Sequence, residues 1–428
     1  MSPSSHGSAS PALWSGLILA LALSLAAAVS LGITRFAYAL LLPPMRADLG
    51  WSYLLAGAMN TANAVGYLMG ALSVPALMRR FGPAAVLQTG MVLAALLMLA
   101  AGWLRLDWAL LGQRVLAGVV SAWVFVAGGL LAARLGTRWR AQAGLLLGVY
   151  YGGVGSGIVL SALVVPAALG AAGERPQGWS SAWWALGGLC GLATLAAWRA
   201  VRTVETIDAS ALAVSPPREP TSLGMAERAA HVPPAASATG GPLAAPPWRA
   251  FAPALLAYAL FGVGYIGYMT FVIALLRERG AAANDITFFY TALGLAVMAS
   301  SRLWARLLDR HRDGQPLARL NALLALATAL PAFVQVWPVV LASGVLFGGV
   351  FLSVVASTTA WVRHNLPPSQ WASGISAFTI VFAVGQIVGP TMVGWIGDGP
   401  GGLERGLAWS AAALALGAAV ALRQRALA

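Results

Sequence analysis

Residues 52–82 read SYLLAGAMNTANAVGYLMGALSVPALMRRFG, an apolar run with no charge until Arg79-Arg80-Phe81-Gly82. At 1.5 Å of rise per residue, about 20 helical residues cross the ~30 Å hydrocarbon core of a bilayer. The run is therefore long enough to span, and the arginine pair marks where it leaves the lipid. The same unit recurs outward in both directions. Apolar runs fall at 12–42, 84–104, 107–133, 141–169, 179–200, 249–276, 285–307, 317–335, 338–361, 370–396 and 403–422. Arginines gather in alternate gaps: Arg79 and Arg80; Arg134, Arg138 and Arg140; Arg199, Arg202, Arg218, Arg228 and Arg249; Arg302, Arg306, Arg310, Arg312 and Arg319; Arg363; Arg423 and Arg425. Of 26 basic residues, 18 lie on that side, 6 on the other, and Arg35 and Arg114 lie inside spans. Cytoplasmic connections carry the basic excess. The pattern thus predicts an even number of spans, with both termini cytoplasmic, in a bacterial inner membrane.

Composition agrees. The 428 residues are 59% apolar and only 9% charged, which no water-soluble core can accommodate. The net charge of +13 would suggest nucleic acid in a soluble protein; here topology accounts for it, and no nucleic-acid partner is expected. All 26 basic residues are arginine. Without lysine there is no P-loop or Schiff base, which excludes an ATP-driven pump within this chain. Cys190, the single cysteine, lies in an apolar run, so neither a disulfide framework nor a thiolate metal cluster can form. Residues 1–11 are polar and lack a basic leader, and the following run is too long for a signal core, so it reads as an uncleaved first span.

One gap stands apart. Residues 203–247 are rich in Pro, Ala, Ser and Glu, with Pro216–Pro217, Pro233–Pro234 and Pro246–Pro247. Such a stretch cannot build a core and reads as a mobile cytoplasmic linker. Most gaps on the other side are short, with turn residues such as Pro43–Pro44 or Gly399-Pro400-Gly401-Gly402. The expected fold class is all-α membrane, with twelve transmembrane helices as two six-helix pseudo-repeat bundles, 1–202 and 248–428. Each half carries a basic cluster after its second span: Arg79, Arg80 and Gly82 in the first; Arg306, Asp309 and Arg310 in the second. Glycines four apart (Gly66/Gly70, Gly153/Gly157, Gly187/Gly191, Gly344/Gly348, Gly385/Gly389) suit close helix packing in lipid.

These features resemble the major facilitator superfamily of transporters over nearly the whole chain. Met78-Arg79-Arg80-Phe81-Gly82 resembles its basic gating loop, with Arg79 at the usual aspartate position and Pro83 at a usual basic one. Arg114-Val-Leu-Ala-Gly118 resembles its Arg-x-x-x-Gly motif. Gly144, Gly153 and Gly157 resemble its glycine-rich fifth span, with Ile158 for the usual proline and Ser161–Ala162 for the closing glycines. Gly32-Ile-Thr-Arg35-Phe-Ala-Tyr38-Ala-Leu-Leu-Leu-Pro43 and Gly262-Val-Gly264-Tyr265-Ile-Gly-Tyr268 are similar to the YbfB/YjiJ-type branch. The resemblance implies secondary active transport of a small molecule by alternating access, with a proton as the coupling ion, no cofactor and a monomeric carrier.

The residues suggest which molecule. A charge in mid-span costs roughly 2.5–3.5 kcal/mol on insertion scales, so it faces a cavity or a partner. Arg35 lies eight residues before Pro43, ~12 Å below the rim, and Arg114 seven after Asp107, ~10 Å below it. At similar depth in one cavity, the two would favour a small organic anion. The alternative is that they snorkel or bond backbone carbonyls. No Asp or Glu lies mid-span; Asp48, Asp107, Asp285 and Asp398 all sit at span ends, leaving a mouth residue such as Asp107 as a coupling candidate. Asn60, Asn63 and Tyr67 share a face of span two, Tyr258, Phe261, Tyr265 and Tyr268 one of span seven, and Phe378, Phe382 and Gln386 one of span eleven. Tyr38, Asn60, Asn63, Tyr67, Tyr258, Tyr265, Tyr268 and Gln386 are therefore candidate substrate contacts. Rival readings are an exporter of drugs or metabolites on the same fold, a sensor, and an intramembrane enzyme. The last needs an acid cluster or a nucleophile with its base, and no span carries either.

Overall fold

In lipid a backbone has no water to satisfy its N–H and C=O groups, so runs this long must fold as helices. The computed structural model describes residues 11–139, 142–173, 175–213, 248–367 and 370–427, and among these no strand occurs. The order is α1 (Pro11–Ala27), a π-helical turn (Ala28–Ile33), α2 (Tyr38–Leu49), α3 (Tyr53–Phe81), α4 (Pro83–Ala101), α5 (Asp107–Arg138), α6 (Ala143–Ala172) and α7 (Trp179–Ala213). It continues with α8 (Trp248–Glu278), α9 (Ala283–Leu303), the short α10 (Ala305–Arg310), α11 (Gln315–Phe333), α12 (Trp337–Asn365), α13 (Trp371–Gly397) and α14 (Gly402–Ala421). Among the described residues ten helices are long and apolar enough to cross a membrane. Alternation of the helices creates two ends. One, arginine-rich, holds Arg79, Arg80, Arg138, Arg312, Arg363 and Arg423; the arginine-poor end holds the connections near residues 51, 104, 176, 281, 335 and 399.

Four boundaries differ from the sequence reading. The first span is not a uniform α-helix: it passes through the π-helical turn and a turn at 34–37, with Thr34 and Ala37 still in right-handed conformation, before α2 begins. Pro43 and Pro44 do not form a turn but lie inside α2, which stops at Gly50 in a left-handed conformation (φ 67°). Neighbouring helices let a span tolerate the bonds that proline removes. The eighth span breaks at Trp304, which separates α9 from α10. The sixth span, α7, continues to Ala213, so residues 203–213, assigned to the linker from sequence, are helical. Residues 214–247, with their proline pairs, Arg218 and Arg228, lie outside the described residues, as does Arg140.

Packing reveals the duplication that the sequence shows only faintly. In the first half, Gly153 and Gly157 of α6 sit against the backbone of Ser24 and Ala28, while Gly66 and Gly70 of α3 meet the carbonyls of Val115 and Val119 on α5. In the second, Gly385 and Gly389 of α13 sit against Ala259 and Val263 of α8, while Gly348 and Gly344 of α12 meet the Leu293 carbonyl and the Phe289 ring of α9. Spans one and five thus pair as seven and eleven do, and two and four as eight and ten do. The halves meet along α3 and α13 and along α6 and α9, which exchange roles under the same pseudo-symmetry.

Candidate functional site

The break in the first span creates the site. Between the π-helical turn and α2 the backbone follows Thr34 N–H to Val29 O and Phe36 N–H to Leu31 O bonds of 3.0 Å, and carbonyls are left facing outward from the helix. The Phe36 carbonyl accepts from the Tyr290 hydroxyl of the opposite half at 2.7 Å. The Thr34 carbonyl accepts from Arg114 Nη1 at 3.0 Å. Arg35 lies between them. With α2 running on to Leu49, it sits roughly 20 Å below that end, nearer mid-membrane than the proline pair implied.

Arg35 is 3% exposed, and its Nη2 donates to Gln386 Oε1 on α13, across the halves. The same oxygen accepts from the Tyr265 hydroxyl of α8 at 3.1 Å. The guanidinium carbon lies 5.5 Å from the Tyr67 ring centroid. Arg114 is 2% exposed, stacks at 4.8 Å on the Tyr38 ring, and points Nε at the Met59 carbonyl at 3.5 Å. Arg35 Nε and Arg114 Nη2 have no hydrogen-bond partner, and among the described residues neither guanidinium is ion-paired. Removing an ionised group from water costs several kcal/mol unless a counter-charge or hydrogen bonds offset it. Here the bonds are incomplete and the counter-charge is absent.

The candidate residues separate into two groups. Asn60 donates to Thr270 Oγ1 of α8 at 2.6 Å, so it bridges the halves, whereas Asn63 donates to the Arg114 carbonyl at 3.2 Å within its own half. The Oδ1 atoms of both are buried without a partner. Tyr38 donates to the Ala56 carbonyl at 2.9 Å and supports Arg114. Tyr258 joins a ring stack with Phe261 (5.5 Å) and Phe382 (5.0 Å) and meets Phe378 edge-on (5.6 Å). Only Gln386, Tyr265 and Tyr67 gather at Arg35, and two other candidates lie apart from both buried arginines. Tyr268 shares a 2.7 Å bond with Ser343 and stacks on Phe347 inside its own half, and Asp107 accepts from the Trp51 indole at 2.7 Å at the arginine-poor rim. Among the gating-loop candidates, Arg79 and Arg80 are exposed at the end of α3, with Arg80 over the Phe81 ring, and Gly82 turns the chain into α4 at φ 81°. Arg306, Asp309 and Arg310 are exposed on α10. None of these five charged residues is ion-paired among the described residues.

Other residues that sequence reasoning did not select also join the halves. Thr61 donates to the Ile387 carbonyl and shares a 2.7 Å bond with Thr391. At the arginine-poor rim the Asp398 carboxylate accepts the Tyr53 and Leu54 N–H groups at 2.7 and 2.8 Å, and the Tyr53 hydroxyl donates to Glu278. Asp398 was visible as an acid at a span end; nothing local to Tyr53 or Glu278 marks them. These bridges lie from the middle of the molecule to the arginine-poor end.

Toward the arginine-rich end the walls part. On α13, Ile375, Thr379, Phe382 and Gln386 share one face. That face is buried at Gln386, half-buried at Phe382 and exposed at Thr379 and Ile375 (38%). The opposite face carries a separate exposed stripe at Ile380, Val384, Val388 and Trp395, suited to lipid. The pseudo-equivalent α6 behaves alike: Gly155 packs on Gly294, while Tyr151 (38% exposed) and Gly144, on the same face, are open. The two halves therefore part at the arginine-rich end, and the opening narrows toward Arg35 and Gln386, which are buried.

Two pseudo-equivalent helical halves closed at one end, open at the other, with a buried charge at their junction, fit a polytopic transporter of the major facilitator type and not an enzyme. The family model described as uncharacterised MFS-type transporter YbfB matches residues 27–422, and the chain belongs to that family. No curated protein matches the sequence. Among solved structures, the fold is similar to a bacterial homologue of the human lysosomal transporter Spinster in an inward-facing and occupied conformation (TM-score 0.65, 15% identity, 97% of each chain covered). It is also similar to the nucleoside transporter NupG (TM-score 0.65, 12% identity, 96% of this chain and 98% of that one).

Proposed function

We propose that this protein is a secondary active carrier that moves a small organic anion across a bacterial inner membrane by alternating access, driven by a proton gradient and working as a monomer. The arginine-rich end lies in the cytoplasm, as do both termini, so the open cleft represents the cytoplasm-facing state. The observation that carries this reading is Arg35, a buried guanidinium without a counter-charge, held by Gln386 and Tyr265 of the opposite half at the closed end of the cleft. A bound carboxylate supplies the missing charge and contacts both halves at once, which is what couples occupancy to rocking. Arg114 contributes field and holds the broken span from behind.

The test is uptake by proteoliposomes of purified protein, screened over small organic acids. Arg35→Gln keeps hydrogen-bonding capacity and removes the charge; transport of the acid found should fall at least tenfold, the loss expected for a charge-assisted bond of about 1.5–3 kcal/mol. Unchanged transport by a well-folded variant refutes the anion assignment.

A further inference from the structure

Resting on that reading, we infer that the substrate is a monocarboxylate with a planar, aromatic body, seated with its carboxylate on Arg35 and its ring between the two walls of the cleft. The charge count sets the first part. Arg35 is the cation at the cleft floor, and its Nε is a free donor. Arg114 lies behind the broken span, with two of its nitrogens on the carbonyls of Thr34 and Met59 and the Tyr38 ring against its plane. Arg114 keeps one unpartnered donor, Nη2, but with Nε and Nη1 already on carbonyls it offers a second carboxylate no pair of donors to grip.

The walls set the other part. Phe382 is the half-buried member of a parallel ring stack: it lies 5.5 Å from Tyr265 at 17° and 5.3 Å from Phe261 at 9°, and Tyr265 continues the stack to Phe351 at 8°. A guest ring extends such a stack at its open edge. Across the cleft stand Tyr67, one helical face with Asn60, and the exposed Tyr151. The remaining polar side chain on the Phe382 face, Thr379, donates to the Ile375 carbonyl of its own helix at 2.9 Å, so that wall offers a polyhydroxylated guest one acceptor and no hydroxyl donor.

The experiment uses full-length protein in proteoliposomes with radiolabelled benzoate as the probe, and hexanoate, succinate and glucose as competitors. Benzoate should accumulate and be displaced by unlabelled benzoate at concentrations well below those needed for hexanoate or succinate, with glucose inert. Tyr151→Ala and Phe382→Ala should each raise the benzoate half-saturation about threefold to tenfold, the equivalent of one lost ring contact. Val384→Ala, on the stripe facing lipid, should leave it unchanged. Equal competition by hexanoate, or ring variants without effect while Arg35→Gln abolishes uptake of every acid, overturns the aromatic assignment and leaves the anion carrier standing. Benzoate uptake that survives Arg35→Gln overturns the anion reading beneath it. Absence of benzoate uptake by the unaltered protein also rejects the inference.

Discussion

The two arginines buried in spans, Arg35 and Arg114, are not equivalent. Arg114 is embedded: its fork spans the Thr34 carbonyl, freed by the break, and the Met59 carbonyl of α3, while Tyr38 covers one face. Lysine carries the same charge on a point donor and cannot reach two carbonyls with one planar group. Arg114→Lys should leave one buried carbonyl unpaired, at a cost of about 1–3 kcal/mol, and should lower the melting temperature together with transport. A variant that transports and melts normally would show that charge alone matters there. Each arginine has one spare nitrogen, but Arg35 bonds a side chain of the opposite half, Gln386, that must release it when the halves separate. The sequence exposed both arginines because charge inside an apolar run is conspicuous. It exposed Gln386 through the stripe shared with Phe382. It could not show that Asn60 and Asn63, three residues apart, would bond to opposite halves, because a 60° difference on a helix is decided by what packs alongside. Tyr268 went astray for the same reason: its hydroxyl found Ser343 inside its own half.

At the scale of helices, apolar length and the arginine rhythm made the spans and their order legible, while breaks within them were not. Ala-Val-Ser-Leu-Gly-Ile at 28–33 is as apolar as its surroundings. Its π-helical course reflects tertiary demands, among them Gly32 lying against Gly157 and Ser30 exchanging hydrogen bonds with Ser121. Pro43–Pro44 misled because a turn signal in water is tolerated inside a packed span. Glycine is informative only where it sits against backbone. Gly118, one turn from Arg114, faces the Asn63 carbonyl so closely that an added methyl overlaps it, whereas Gly112 on the same helix has open space. Gly118→Ala should force α3 and α5 apart, costing about 1–3 kcal/mol as overpacking does, and should reduce transport by displacing Arg114. Gly112→Ala should change neither. Thermal melting of the two variants side by side separates a packing requirement from mere helix propensity, since an equal response in both would contradict the contact.

For the whole molecule, the question is what holds the arginine-poor end shut. The first N–H groups of α3 have no partners within the helix. Leu55 N–H is taken by Ser52 of the same half, but those of Tyr53 and Leu54 are taken by Asp398, which belongs to the opposite half. A carboxylate at a helix N-terminus gains from the helix dipole as well, up to about 2 kcal/mol when partly buried. The Tyr53 hydroxyl adds Glu278 from α8, and the Arg46 guanidinium covers the Tyr53 ring at 3.8 Å. Alternating access requires the Asp398 and Glu278 contacts, which cross the halves, to break when this end opens, so their strength sets part of the balance between the two states. Asp398→Ala should shift that balance toward opening at the arginine-poor end by about fivefold to thirtyfold, the factor that 1–2 kcal/mol commands. The measurement is labelling of Thr391→Cys, whose native hydroxyl bonds Thr61 across the seam, in a Cys190→Ser background. A membrane-impermeant maleimide applied from the arginine-poor side should react several times faster once Asp398 is removed. If the rate is unchanged, the cap does not govern closure and the seam between α3 and α13, where Gly57 meets the Pro390 carbonyl and Gly394 meets that of Tyr53, must hold the end shut without it.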